Sequence, residues 1–142
     1  MARVYFAAPL FCVGERAFNA EMAALLEQAG YAVFLPQRDG MMAATLTGLS
    51  EEEKIERIFA RDLAEIKASD ILLIVLDGRV PDEGACVELG IAHTLGKRCY
   101  ALSTDDRALE LDLKVNPLIA GCCRRLFSGT AELKEFLQTE TL

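Results

Sequence analysis

The sequence predicts an α/β fold, a three-layer doubly wound sandwich around a five-stranded parallel sheet, within a single domain spanning residues 1–142. Two observations carry this. Strand-like and helix-like segments alternate along the chain, which implies right-handed crossovers and helices on both sheet faces. One segment, Ile71–Leu76, is an unbroken apolar run, the signature of a central strand covered on both sides. The size agrees, because 142 residues, 52% of them apolar, suffice for one sizeable core.

The elements follow in order. Val4-Tyr5-Phe6-Ala7-Ala8 is a short strand ended by Pro9. Glu15–Ala29 then places Phe18, Met22, Leu25 and Leu26 at helical spacing before Gly30. Tyr31–Leu35 forms the second strand, and Pro36–Leu49, with Met41 and Met42, is a long loop of the kind that often serves function. Ser50 followed by Glu53 is a capping box opening a helix to about Lys67, with Ile55, Ile58, Phe59 and Leu63 expected as its buried stripe. After the central strand, Glu83–Leu95 predicts a helix stopped by Gly96. Val87, Ile91 and Leu95 should face the sheet, and Gly90 should allow close approach. Arg98–Leu102 is a strand, a further strand is expected near Cys122–Leu126 with Cys122-Cys123 as a buried pair, and Ala131–Leu137 closes the chain as a helix.

Composition excludes several classes. With 15 Lys+Arg against 22 Asp+Glu the net charge is -7, so the basic footprint needed for a nucleic-acid polymer is missing. The apolar runs are far shorter than the roughly 18–20 residues of a membrane span and no signal peptide is evident, so a cytoplasmic protein is expected. Five cysteines without a C-x-x-C spacing suit reduced, mostly buried thiols better than a disulfide or zinc framework. A single histidine, His93, argues against a histidine-rich metal site. No G-x-G-x-x-G follows the first strand, against dinucleotide binding, and Ala7-Ala8-Pro9 lacks the acidic pair of a magnesium-dependent phosphoacceptor domain.

In a doubly wound sheet, ligands sit outside the carboxyl ends of the strands where the strand order reverses. The polar residues delivered there are Tyr5 on the first strand, Gln37 and Asp39 after the second, Asp77, Gly78 and Asp82 after the third, and Glu88 on the helix that follows. Each has an ordinary alternative. Asp82 can be a helix N-cap, Asp77-Gly78 a turn, Tyr5 a core aromatic and Glu88 a solvated helix glutamate, whereas at the crevice edge the helix N-terminus would favour its ionised carboxylate. Together they exceed what capping requires.

Tyr5-Phe6-Ala7-Ala8-Pro9-Leu10-Phe11, Phe34-Leu35-Pro36-Gln37-Arg38-Asp39-Gly40, Ser69-Asp70, Leu76-Asp77-Gly78 and above all Asp82-Glu83-Gly84-Ala85-Cys86-Val87-Glu88-Leu89-Gly90 resemble the nucleoside 2-deoxyribosyltransferase family. The resemblance implies that Glu88 is the nucleophile at the anomeric carbon of a 2′-deoxynucleoside. Asp82 would hold the sugar hydroxyls and orient Glu88, with Tyr5 hydrogen-bonded beside it. Asp62, with Gln37 and alternatively Asp39, would contact or protonate the base. Asn116-Pro117-Leu118 resembles a segment that reaches a neighbouring subunit's site in a homo-oligomer, Asn116 binding the sugar 5′-hydroxyl. Cys86 and Leu118 depart from the family pattern, which bears on base preference and the sugar pocket. The implied partners are 2′-deoxynucleosides and free nucleobases, with no membrane, metal or organic cofactor required.

Such chemistry suits two carboxyl groups. Breaking a C–N glycosidic bond builds positive charge on the sugar, which an ionised carboxylate stabilises and captures, while the departing base needs a proton. The two acids then need different pKa values, Glu88 staying ionised. The same glutamate could serve an N-glycosidase that passes the sugar of a 2′-deoxynucleoside 5′-monophosphate to water, and a non-catalytic nucleotide-sensing module is a rival of another class.

Overall fold

The computed structural model describes residues 1–105 and 115–142. Five strands, β1 (Arg3–Ala7), β2 (Ala32–Phe34), β3 (Ile71–Val75), β4 (Arg98–Leu102) and β5 (Arg125–Phe127), form one parallel sheet in the order β2-β1-β3-β4-β5. This is the flavodoxin-like doubly wound order, and it reverses between β1 and β3. The helices are α1 (Val13–Gln28), a single turn α2 (Pro36–Asp39), α3 (Glu51–Ala68), α4 (Glu83–Thr94), α5 (Pro117–Cys122) and α6 (Thr130–Thr139). Among the described residues no helix is long and apolar enough to cross a membrane.

Strand period two divides the core into two layers. Val4 and Phe6 of β1 and Ala8 just after it, with Ile71, Leu73, Val75, Tyr100 and Phe127, pack under α1 and α6 against Met22, Leu26, Leu133 and Phe136. Tyr5, Ala7, Phe34, Leu72, Ile74 and Ala101 point the other way, toward Ile66 of α3 and Ala85, Leu89 and Ala92 of α4.

Several local expectations are corrected. Helix α1 starts at Val13, because the Cys12 thiol accepts from the Glu15 N–H and the Glu15 carboxylate accepts in return from the Cys12 N–H, a capping box built on sulfur. The Pro36–Leu49 loop contains the turn α2 and a 3-10 turn at Ala43–Thr45. The expected strand near Cys122–Leu126 begins only at Arg125, and Cys122 and Cys123 close the short helix α5 instead of pairing in a strand. Only Cys99 is buried among the thiols, and Cys12 is exposed.

The largest correction concerns α3 and α4. Val87 is 60% exposed and Leu95 44%, whereas Ala85, Leu89 and Ala92 meet the sheet. Ile55 is 60% exposed and Phe59 57%, whereas Ile66 and Glu65 are the buried residues of α3. Both helices carry apolar side chains on two faces, and α4 turns its small-residue face inward because alanines let a helix sit closer to the strands than Val and Ile would. A side chain at Gly90 would meet open space, so this glycine does not serve close approach to the sheet.

Candidate active site

Tyr5 lies mid-strand in β1 and points into the layer under α3 and α4, where it is fully buried. Its ring stacks on Phe34 of β2 at 5.3 Å between centroids. A buried phenol needs a polar partner. That partner is Glu88, on the second turn of α4, whose Oε1 accepts from the Tyr5 hydroxyl at 2.7 Å. The start of α4 is set by Asp82, whose Oδ2 accepts from the Ala85 N–H at 2.8 Å. The capping alternative for Asp82 is therefore realised, and it places this carboxylate close enough to influence Glu88.

The electrostatics differ from the expectation that the helix N-terminus keeps Glu88 ionised. Burial pushes its pKa up to about 7; the Tyr5 hydrogen bond opposes this, and the charges of Asp62 and Asp82 reinforce it. Asp62, on α3, is pushed up to about 6, first by burial, with Arg61 lowering it and Glu65 raising it. The Tyr5 hydroxyl is driven well above its usual range by burial and by Glu88, so it stays a proton donor in its hydrogen bond. Both carboxyl groups are therefore held above the ordinary carboxylate range, chiefly by burial.

Asp39 behaves in the opposite way. Burial works against its charged form, yet hydrogen bonds from the Arg38 guanidinium and from the Leu35 N–H at 2.9 Å outweigh it and lower the pKa. The neutral form considered for Asp39 is thus disfavoured, and of the two acids Asp62 is the one suited to donate a proton. Gln37 is held at both ends of its amide, donating to the Arg16 carbonyl at 2.8 Å and accepting from the buried Asn19 at 3.1 Å. Asp77 accepts from the Thr104 hydroxyl and from the backbone N–H groups of Thr104 and Asp105, which ties the loop after β3 to the segment after β4. Gly78 donates to the Asp105 carboxylate at 3.1 Å and adopts φ 118°, which a side chain would strain. Asn116 caps α5, its side-chain oxygen accepting from Leu118 N–H at 2.9 Å, and Leu118 is 82% exposed. The structure therefore brings together Tyr5, Asp62, Asp82 and Glu88. Asp39 and Asn116 are engaged in local bonds, and Gln37, Asp77 and Gly78 in bonds to segments distant in sequence.

The model of the nucleoside 2-deoxyribosyltransferase family matches residues 4–132. The chain belongs to this family. Solved structures agree in fold. A conserved protein from Enterococcus faecalis V583 superposes with TM-score 0.81 at 25% identity, covering 97% of this chain and 98% of that one. The 2-deoxyribosyltransferase of the psychrotolerant Bacillus psychrosaccharolyticus gives 0.78 at 22% identity, covering 94% and 90%. A CMP N-glycosidase from Clostridium botulinum gives 0.61 at 19%, covering 96% and 98%. No curated protein matches the chain.

Within this family fold, two supports of the site escaped the sequence reading. Phe34 forms the floor on which Tyr5 stacks, and the Arg61 guanidinium lies over the Phe34 ring at 5.5 Å from its centroid. Arg61 also pairs with Glu65 at 3.0 Å, and Glu65 takes Arg3 as a second partner. The signal available was an Arg directly before Asp62 and an acid one turn later, an i,i+4 pair.

Proposed function

We propose that the protein transfers a 2-deoxyribosyl group from one nucleobase to another through a covalent ester on Glu88. The observation that carries this reading is the half-buried carboxylate of Glu88, held at 2.7 Å by the Tyr5 hydroxyl and flanked by a second carboxyl group of raised pKa. In the first half reaction a Glu88 oxygen forms a bond to the anomeric carbon as the C–N bond breaks. The bonding pair leaves with the base, and Asp62 delivers a proton to it. Asp82, fixed by its cap, holds the sugar hydroxyls and orients Glu88. The second half reaction reverses these steps with a different base, giving ping-pong kinetics and net retention of configuration. Asn116 of a neighbouring copy completes the sugar site in a homo-oligomer.

Mass spectrometry of enzyme quenched during turnover of a 2′-deoxynucleoside tests this. A deoxyribosyl adduct on the peptide holding Glu88 is expected, and rapid turnover with labelling elsewhere rejects it. The alternative, hydrolysis of a 2′-deoxynucleoside 5′-monophosphate by the same glutamate, uses the same adduct but a different acceptor. A panel of deoxyinosine, thymidine and deoxycytidine with adenine as acceptor, run beside the monophosphates in water, separates the two: new deoxynucleosides indicate transfer, free sugar phosphate indicates hydrolysis.

A further inference from the structure

Helix α1 carries one polar residue in an otherwise apolar buried stripe. Its buried positions are Asn19, Met22, Ala23 and Leu26, and Asn19 is 2% exposed. A buried amide is costly unless its groups are paired. The Asn19 nitrogen donates twice, to the Pro9 carbonyl at 2.8 Å and to Gln37 Oε1 at 3.1 Å, and Gln37 Nε2 donates in turn to the Arg16 carbonyl at 2.8 Å. The two backbone carbonyls fix both amides, because a carbonyl only accepts. Nitrogen must face Pro9 and Arg16, and turning either amide over would set oxygen against oxygen. Gln37 is thus locked in one orientation by Asn19 and the α1 backbone. An amide offers two N–H groups and two lone pairs, so one N–H and one lone pair of Gln37 stay unused among the described residues.

Gln37 lies in α2, past the carboxyl end of β2, at the sheet edge where ligands of a doubly wound fold bind. This turn borders the side of the site that holds Asp62. Phe34, which ends β2, stacks on the Tyr5 ring, and Arg61, the neighbour of Asp62, donates to the Asp39 carbonyl at 3.4 Å. Nucleobases fall into two classes at their pairing edge. Adenine and cytosine show a ring-nitrogen acceptor beside an amino donor, whereas hypoxanthine, guanine and thymine show a ring N–H donor beside an oxo acceptor. The two edges are inverses, so an amide that can turn over pairs with both classes and a locked amide pairs with one.

We propose that Asn19 is a positioning residue that locks the Gln37 amide, so that Gln37 reads the pairing edge of the nucleobase and separates amino bases from oxo bases. The proposal rests on deoxyribosyl transfer as the reaction. Adenine and hypoxanthine, two purines of the same size, competing as acceptors with deoxyguanosine or thymidine as donor, test it. Both compete for one ester, so the product ratio is the ratio of their kcat/KM values. The wild type is expected to favour one of the two by ~10-fold or more. Asn19→Leu keeps the stripe filled and removes the donor, and should bring the ratio to within about threefold of one with an unchanged circular dichroism spectrum. Asn19→Ala should do the same, and decides the matter if the Leu variant does not fold. Gln37→Leu should abolish the preference by itself, and adding Asn19→Leu to it should move the ratio no further. An Asn19 that served only the fold would lower turnover with both bases alike and leave the ratio in place. Absence of base exchange in the wild type rejects the transfer reading and this proposal with it. Exchange with a wild-type ratio near one, or a preference that survives the Asn19 substitutions, overturns this proposal alone.

Discussion

The two faces of the sheet are built from different materials. Under α1 and α6 the core is sealed with large rings, Tyr100, Phe127 and Phe136, the last two in an edge contact at 5.1 Å. Under α3 and α4 it is made of Ala7, Ala85, Ala92, Ala101 and medium aliphatic residues, with Phe34 stacked on Tyr5, around one polar pair, Tyr5 and Glu88. The first face spends its apolar side chains on stability. The second brings α4 close with small residues, holds half-buried ionisable groups whose partial burial pushes Glu88 and Asp62 upward, and turns its larger apolar residues outward. Stability and chemistry should therefore be separable by mutation.

The sharpest separation comes from Glu88→Gln. Base exchange should fall by more than ~10³-fold, since the nucleophile is lost, while the variant folds normally. Phe127→Ala on the opposite face should do the reverse, costing ~3–5 kcal/mol by denaturant titration while the folded fraction keeps its turnover. If both variants lose stability equally, or both lose turnover equally, the division is wrong.

The pH dependence of stability carries the same distinction. A carboxyl group whose pKa rises from 4.5 to about 7 on folding binds its proton more tightly in the folded state. Its contribution is neutral below pH 4.5, and stability is lost as pH rises toward 7, by at most ~3 kcal/mol. Glu88→Gln should remove this loss, so it should be the more stable protein at pH 8 and equal to wild type near pH 4. Tyr5→Phe acts more weakly. It deletes the hydrogen bond that favours ionised Glu88, so turnover should drop by ~10–100-fold, and the ionisation limb of the pH–rate profile should move to higher pH. A profile that stays in place would remove Tyr5 from the control of Glu88.

The reach of the sequence follows the same line. The central place of the third strand and the capping box at Ser50 were legible because they depend on local signals: an unbroken apolar run at Ile71–Leu76 and a Ser–Glu spacing of three. The acids at the site were legible through the resemblance carried by the Asp82–Gly90 block. Which side of α4 faces the sheet was not, because Ala85–Leu89–Ala92 and Val87–Ile91–Leu95 are both apolar stripes at helical spacing, and periodicity does not rank them. Nor was the engagement of Gln37 by Asn19, or of Asp77 by Thr104, since those bonds join residues 18 and 27 positions apart. The Cys12 cap was missed because sulfur is an uncommon cap acceptor.

The smallest expected effect concerns Asn116, at the edge of the α3/α4 face. Its side chain already caps α5, so a change in activity on mutation could arise from the loss of the cap alone. Asp also caps, and Ala does not. If Asn116 serves only the helix, Asn116→Ala should cost up to ~1 kcal/mol of stability and Asn116→Asp should restore both stability and KM. If instead it donates a hydrogen bond to a sugar hydroxyl in a neighbouring copy, Asp removes the donor, and KM should stay raised in both variants while stability recovers in Asn116→Asp. The second pattern is expected. Measured on mixtures with the Glu88→Gln chain, it should also show subunits complementing one another, because an intact Glu88 in one copy would work with an intact Asn116 in the next.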